Sequence, residues 1–500
     1  MNPYSRLIPR LNGKEIEERF GDYLGLVKKG VAGFIIFGGE LETVREKIRE
    51  LQSAADRPLI IASDLEQGLG QQIEGGTLFP PAMAIASALT KKGLKFQVSS
   101  SRLKLLRKAF RAIALEAKYA GINTILAPVL DINTNPDNPI IATRAFGEDA
   151  DTVSFFGCEM INVLQQNGIA ACGKHFPGHG DTETDSHISL PVVKKDLDSL
   201  EHNEFVPFQR AVSEGVSMIM LGHLSVPALD PSGIPASLSG RAVSYLRDRM
   251  GFRGLIITDA MNMGGIGQYT ENEASLMALK AGVDIILHPS DPDAVATYLS
   301  EMNYSAQENP PSPPFSKGGK ILHPPFRKGD GGGFLLPPFS ADNNPPISFA
   351  SHQKLSDDLA GMAITTEGEE DVKITKPFMI ILSEDKVEKG ERLVNALKQR
   401  YAGFQYCSIF PGDGIPWALI PKDHDLIVSV FSQIKAWKGQ TAGWLRKAIE
   451  GLDGRAKIFI SFGNPYVIRN VRNAPKINAF WASASAQRAI AARLTSYDTP

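Results

Sequence analysis

One run of the chain, Lys174-His175-Phe176-Pro177-Gly178-His179-Gly180-Asp181-Thr182-Glu183-Thr184-Asp185-Ser186-His187, brings three histidines and three carboxylates into a segment broken by Pro and Gly. Pro177, Gly178 and Gly180 are costly inside a helix, so the sequence predicts an irregular loop behind the apolar run Gly168–Gly173. Polar side chains on a loop hung from a strand suit binding or catalysis. Metal chemistry is one option, since His175 and His179 are four apart; that spacing needs a helix to bring both rings to one face, and Pro177-Gly178 prevents one. His179 and Asp181 read as groups that satisfy the loop's own backbone. Asp185-Ser186-His187 points to proton transfer. A carboxylate two residues before a histidine can hold one ring nitrogen and raise the basicity of the other.

Two further acids follow apolar runs directly. Thr258-Asp259-Ala260-Met261 comes after Gly254–Ile257, and Ser63-Asp64 after Pro58–Ala62. At the C-terminal end of a parallel strand such an acid faces an active-site mouth; as a helix N-cap it would only satisfy backbone N–H groups. Position alone leaves both readings open for Asp259. Lys174-His175 also follows a strand candidate, so three strand ends share one chemical character.

The elements that must position these groups are legible as an alternation. Apolar runs near residues 7–9, 33–37, 58–63, 123–127, 169–173, 217–221, 254–258 and 283–287 are continuous, as expected for parallel strands buried on both faces. Between them lie amphipathic helices, such as Leu41, Val44, Ile48, Leu51 and Leu103, Leu106, Phe110, Ile113, Ala117 closed by Gly121. The pattern predicts an α/β protein with a (β/α)8 TIM-type barrel over 1–305; a doubly wound open sheet fits the same alternation. Gly38-Gly39 and Gly75-Gly76 lack the spacing of a nucleotide fingerprint.

Residues 309–346 repeat Pro-Pro-Phe at Pro313, Pro324 and Pro337 with Gly-rich spacers, so 306–348 is expected to be a disordered linker or insertion. A Pro-rich ligand for a partner domain is the sharper alternative. Alternation returns over 349–500 with apolar runs at 378–382, 426–431, 457–462 and 477–481, predicting a smaller parallel-sheet α/β sandwich domain without a dense polar cluster.

The 500 residues, 43% of them hydrophobic, supply core for two or three domains. With 53 basic and 55 acidic residues the net charge of -2 gives no reason to expect nucleic acid or an anionic membrane as partner. No obligate protein partner is expected. Three scattered cysteines fit a reduced compartment, and the N-terminus shows no apolar signal segment, so a cytoplasmic location is expected.

On these residues the chain resembles a known family. Lys174–Gly180 with Asp185-Ser186-His187 is similar to the signature loop of the β-N-acetylglucosaminidase (β-N-acetylhexosaminidase) branch of glycoside hydrolase family 3. Asp64-Leu65-Glu66-Gln67-Gly68 resembles the family's first acidic motif, and Arg144-Ala145-Phe146-Gly147-Glu148-Asp149 its Arg-x-Phe-Gly motif. Pro235–Ser239 resembles a characteristic loop, Thr258–Met261 the nucleophile segment, and Ser461–Tyr466 part of the second domain. The resemblance implies Asp259 as nucleophile, His187 as acid/base and Asp185 as its orienting partner. Asp64, Arg144, Lys174 and His175 would grip a terminal β-linked N-acetylglucosamine, the small-molecule substrate, with no metal or other cofactor. Muropeptide fragments are the implied source. Gln72 stands where the branch commonly has Arg. A β-N-acetylglucosaminide phosphorylase is a second enzymatic reading and a β-glucosidase a third; a sugar-binding or Pro-rich interaction protein is the non-enzymatic one.

Overall fold

The computed structural model describes residues 2–90, 98–304, 347–369, 372–433 and 442–496, with the backbone of 327–328 and 334–335. Strands β1 (Leu7–Ile8), β2 (Arg10–Asn12), β3 (Gly33–Phe37), β4 (Ile60–Ser63), β5 (Thr124–Ile125), β6 (Ala170–Phe176), β7 (Met218–Leu221), β8 (Leu255–Thr258) and β9 (Ile286–Leu287) form one curled parallel arrangement. β2 to β8 pair in chain order. Pro9, which lacks an N–H, separates β1 from β2. β1 pairs in parallel with β9, and Ile257 of β8 bridges Ile285 beside β9. Curling follows from strand twist, and the concave side encloses Ile8, Ile35, Ala62, Cys172, Met220 and Ile257 in a core of their own.

Helices α1 (Phe20–Lys29), α2 (Leu41–Ala54), α3 (Ala82–Leu89), α4 (Ser100–Tyr119), α5 (Ala150–Gln166), α6 (Leu197–His202), α7 (Val206–Ser213), α8 (Gly240–Ser244), α9 (Glu271–Ala281) and α10 (Pro292–Glu301) cross between the strands. Their apolar stripes bury outside the sheet in one continuous core: Val44, Ile48 and Leu51 from α2, Leu106, Phe110 and Ile113 from α4. Gly121, at φ 87, takes the left-handed conformation that ends α4 without a Cβ penalty.

β10 (Arg327–Lys328) and β11 (Phe334–Leu335) form a short antiparallel ladder. The remainder of the Pro/Gly-rich segment expected to be disordered lies outside the described residues. α11 (Phe349–Ala363) then sends Leu359 and Ala363 into the first core, and its His352 Nδ1 lies 2.7 Å from the buried Glu116 on α4.

A second sheet holds β12 (Thr365–Glu367), β13 (Pro377–Ser383), β14 (Gln405–Ile409), β15 (Asp425–Ser432), β16 (Ile458–Gly463) and β17 (Lys476–Asn478), ordered β12-β17-β16-β15-β13-β14. The expectation of a purely parallel second sheet is corrected at one edge, where β12 runs antiparallel to β17. Helices α12 (Glu391–Arg400), α13 (Gly443–Asp453) and α14 (Ala484–Ser496) cover it: α12 and α14 share one apolar cluster and α13 belongs to another. Among the described residues no helix is long and apolar enough to cross a membrane.

Candidate active site

The strand expected to stop at Gly173 continues to Phe176, so Lys174 and His175 lie on β6 and not on the loop behind it. Pairing with β7 resumes with Phe176 opposite Leu221 after a register shift beyond Gly173, Lys174 bridges Val129 on the other side, and burial of the whole stretch outweighs the Pro-Gly signal that follows. Ala170 and Cys172 face the enclosed core, and the two-residue period carries Lys174 to its mouth. There Lys174 Nζ sits 2.6 Å from Asp64 Oδ1 at the end of β4 and 2.8 Å from Glu66 Oε1. Arg144 grips the same Glu66 through Nε at 3.0 Å and Nη2 at 2.9 Å, and donates Nη1 to Ile140 O at 3.0 Å. Burial opposes the charge on Glu66, yet Arg144 and Lys174 together hold its carboxyl far below the usual range. Both cations stay charged despite their own burial, Lys174 through Asp64 and Glu66, Arg144 through Glu66.

Asp131, which sequence reasoning missed, anchors the start of the loop. Its fully buried carboxylate accepts from His175 N–H and, at 2.7 Å, from His179 N–H, with His175 Nδ1 also at 2.7 Å. An ionised carboxylate only accepts, so His175 Nδ1 carries a proton and the ring's other nitrogen, Nε2, faces away from Asp131. The expectation that His179 and Asp181 satisfy the loop's own backbone is corrected: their side chains meet other side chains. His179 reaches the Thr182 and Ser186 hydroxyls with its two ring nitrogens, at 2.7 and 2.9 Å, and burial followed by neighbouring His175 pulls it down to about 4. Asp181 accepts from Thr134 Oγ1 and lies 3.5 Å from Lys195 Nζ. Among the described residues no group of three or more His, Cys, Asp or Glu could hold a metal ion.

Further along the loop, Asp185 Oδ1 lies 2.9 Å from His187 backbone N and 2.8 Å from His187 Nδ1. The Asp185 side chain is fully buried while that of His187 is 21% exposed. This fixes Nδ1–H toward the carboxylate and leaves Nε2 as the nitrogen that exchanges a proton.

Asp259 ends β8. It caps no helix: the chain turns after it and α9 begins only at Glu271, capped by Thr270. Among the described residues the hydrogen bond to its carboxylate comes from Ala260 N–H at 2.8 Å. Burial works against its charge, but His175, His223 and His187, in that order, outweigh it and hold the carboxyl below its ordinary value. His223, also missed from sequence, donates Nε2–H to Ala260 O at 3.0 Å, because a carbonyl can only accept, and takes the Ser237 hydroxyl on Nδ1 at 2.7 Å. Burial pulls its own pKa below the ordinary histidine value.

The segment after Asp259 is fastened to the His187 loop. Gly264 N–H donates to His187 O at 3.1 Å. A Cβ on Gly264 would stand 2.5 Å from Ile188 O, and one on Gly265 2.6 Å from His223 Cβ. Close backbone approach, which glycine alone permits, couples the two reactive segments. All seven sequence-predicted residues therefore line one end of the curled sheet: Arg144 and Lys174 joined through Glu66, with Asp64 on Lys174, and His175, Asp185, His187 and Asp259 linked by electrostatics and loop contacts. Gln72 donates Nε2 to the Asp64 backbone carbonyl at 3.4 Å. Glu66 stood in the sequence only as part of the Asp64–Gly68 motif, and Asp131 and His223 left no local signature; their partners include residues far along the chain.

Such an arrangement sets a cation–carboxylate cluster beside a buried carboxylate, Asp259, and a carboxylate-held imidazole, His187, groups of the kind that bind polar ligands and transfer protons. Comparison with known proteins gives it a family. The model described as Glycosyl hydrolase family 3 N terminal domain matches residues 23–309. Beta-hexosaminidase A of Pseudoalteromonas piscicida is 34% identical over 282 residues, 52% of this chain and 46% of that protein, so the chain spans under half the length of this relative. A beta-hexosaminidase of Methylobacillus flagellatus is 31% identical over 55% of this chain and 78% of its own length. The solved structure of a glycoside hydrolase family 3 beta-N-acetylglucosaminidase from Paenibacillus sp. str. FPU-7 superimposes with a TM-score of 0.76 at 26% identity, covering 99% of this chain and 96% of the other.

Proposed function

The chain belongs to glycosyl hydrolase family 3, and from that membership we propose that it is a retaining, exo-acting β-N-acetylglucosaminidase. Its substrate is a terminal non-reducing β-linked N-acetylglucosamine, with muropeptide fragments as the source and the cytoplasm as the setting. The name of the Paenibacillus relative and the hexosaminidase names of the curated ones support the sugar. The β1–β9 pairing and the Ile257–Ile285 bridge support reading the curled sheet as a closed (β/α)8 barrel over 1–305, followed by a linker over 306–348 and a second domain over 349–500.

The observation that carries the reaction is the juxtaposition of Asp259 with the Asp185–His187 pair. A retaining glycosidase needs a nucleophile on one side of the anomeric carbon and a proton donor at the leaving oxygen, usually two carboxylates roughly 5 Å apart. Here the donor is imidazole. An Asp259 oxygen attacks the anomeric carbon while His187 Nε2–H protonates the departing glycosidic oxygen, giving a covalent glycosyl ester. Water then loses its proton to Nε2 as its oxygen attacks the same carbon, Asp259 leaves, and the β configuration returns. An imidazole with an unperturbed pKa of about 6.5 can give and take this proton near neutrality. Asp64, Arg144, Lys174 and His175 hold the sugar's hydroxyls and N-acetyl group; no cofactor takes part in this scheme.

The test is turnover of an aryl β-N-acetylglucosaminide beside the matching aryl β-glucoside, with and without phosphate, the product's anomeric configuration read by NMR. Preferred release of β-N-acetylglucosamine without phosphate supports the proposal. Preference for the glucoside, a sugar phosphate as product, or no turnover would each overturn it, in favour of a β-glucosidase, a phosphorylase or a binding protein respectively.

A further inference from the structure

We propose that Tyr466, on the second sheet domain, is a positioning residue for Arg144, acting through Asn133 on the loop 133–148; the inference rests on the reading that Arg144 grips the sugar. The loop follows Asp131, just beyond the isolated bridge between Val129 and Lys174, and Asn133, 1% exposed, holds it together from its base. Asn133 N–H donates to Gly147 O at 3.1 Å, closing the loop, and its Oδ1 accepts Ala142 N–H at 2.8 Å. Ala142 sits at φ 37, a backbone region that costs an L-residue about 1–2 kcal/mol and persists where surrounding bonds over-determine it. It opens the single 3-10 turn Ala142–Arg144, so the direction in which Arg144 leaves the backbone depends on that bond.

Because Oδ1 must face the Ala142 N–H, the amide nitrogen of Asn133 faces the other way, where it donates to Tyr466 Oη at 3.1 Å. The phenol in turn donates to Glu148 Oε1 at 2.5 Å. One hydroxyl from the second sheet thus bridges both ends of the loop that carries Arg144. Its own placement is local: Asn464 Oδ1 accepts Tyr466 N–H at 3.0 Å at the start of the turn Pro465–Ile468, which follows β16. Docking of the loop has a separate anchor. Asp137 is clamped by Arg446 at 2.8 Å and Arg469 at 2.7 Å, so loss of the Tyr466 hydroxyl need not undock the domains. The same loop touches the proton-donor segment through Asn138 Nδ2, 2.8 Å from His179 O.

The experiment uses the full chain and an aryl β-N-acetylglucosaminide with four variants: Tyr466→Phe, Asp137→Asn, Arg144→Lys, and Tyr466→Phe with Arg144→Lys. Tyr466→Phe keeps the ring and removes one hydroxyl; it should raise KM about tenfold with kcat within about twofold, the signature of lost uniform binding. Asp137→Asn should lower the melting temperature and leave KM near the parent value. The double variant should be no worse than Arg144→Lys, since residues acting as a unit are not additive. An unchanged KM in Tyr466→Phe beside a raised KM in Arg144→Lys overturns the relay while the sugar grip stands. An unchanged KM in Arg144→Lys removes the grip and the relay together. Additive losses place Tyr466's effect elsewhere. Should Arg144→Lys not fold, a KM change in Tyr466→Phe no larger than that in Asp137→Asn is enough to overturn the relay.

Discussion

Replacing Glu66 by Gln changes one atom at the centre of the candidate sugar grip. Oε1 of Glu66 takes Arg144 Nη2 at 2.9 Å and Lys174 Nζ at 2.8 Å, and Oε2 takes Arg144 Nε at 3.0 Å. A glutamine keeps its oxygen at one of these places and must turn an NH2 toward a cationic donor at the other. One charge-assisted bond, worth about 1.5–3 kcal/mol, is lost, and the two buried cations keep Asp64, and Arg144 also Asp131, as counter-charges. Breaking a buried pair from one side costs about 3–5 kcal/mol; Gln retains part of the bonding, so about 3 kcal/mol is expected, or roughly 5–10 °C in the melting temperature. The pH dependence has a definite sign. Glu66 is held below its unfolded pKa of about 4.3, so its contribution is fully present above that value and is lost as pH falls through the folded value. Denaturant unfolding of parent and variant at pH 7 and at successively lower pH gives the gap directly. It should be constant near neutrality and shrink below about pH 4. A gap under about 1 kcal/mol at pH 7, or one that does not narrow in acid, would refute the bridging role.

Three further outcomes follow from the geometry. Asp259→Ala should lower turnover by about 10⁴-fold or more with the fold intact, as circular dichroism would report; near-parental rates in a folded variant would remove the nucleophile assignment. His187→Ala should cost about 10²–10⁴-fold on a poor leaving group and far less on an activated aryl substrate, with Asp185→Asn acting in the same direction more weakly; equal slowing of both substrates would send the search for the proton donor elsewhere. Gly265→Ala should destabilise by about 1–3 kcal/mol and slow turnover, because its Cβ would meet His223 Cβ at 2.6 Å and Ser186 O at 2.8 Å; parental stability and rate would show that the two segments need not be coupled.

Much of the first sheet was legible because its strands are buried on both faces and read as unbroken apolar runs. The same criterion failed for the second sheet's edges. β12 is the polar triplet Thr365-Thr366-Glu367 and β14 is half exposed, so neither shows an apolar run. Lys174 and His175 looked like loop residues because Pro177-Gly178 signals a break, whereas the strand ends only when its pairing does, at Phe176. In the site, residues with a local pattern were found: Asp185 two before His187, and Asp64 and Asp259 at strand ends. Glu66 was quoted only as part of a motif; Asp131 meets His175 and His179 only across the fold, and Asn133 and His223 bond along irregular loops, so no periodic spacing in the sequence marks them. The second sheet domain reaches the loop that carries Arg144 through the Tyr466 hydroxyl and through Arg446 and Arg469 on Asp137, contacts that no local pattern in its sequence marks.

The central claim, a covalent relay between Asp259 and His187, is tested most directly by mass spectrometry of His187→Ala incubated with an activated aryl β-N-acetylglucosaminide. Such a leaving group needs no protonation, but the second step has lost the base that activates water, so the glycosyl ester should accumulate. Peptide mapping is predicted to find N-acetylhexosamine attached to Asp259. An adduct on another residue, or turnover with inversion and no adduct, would contradict the account.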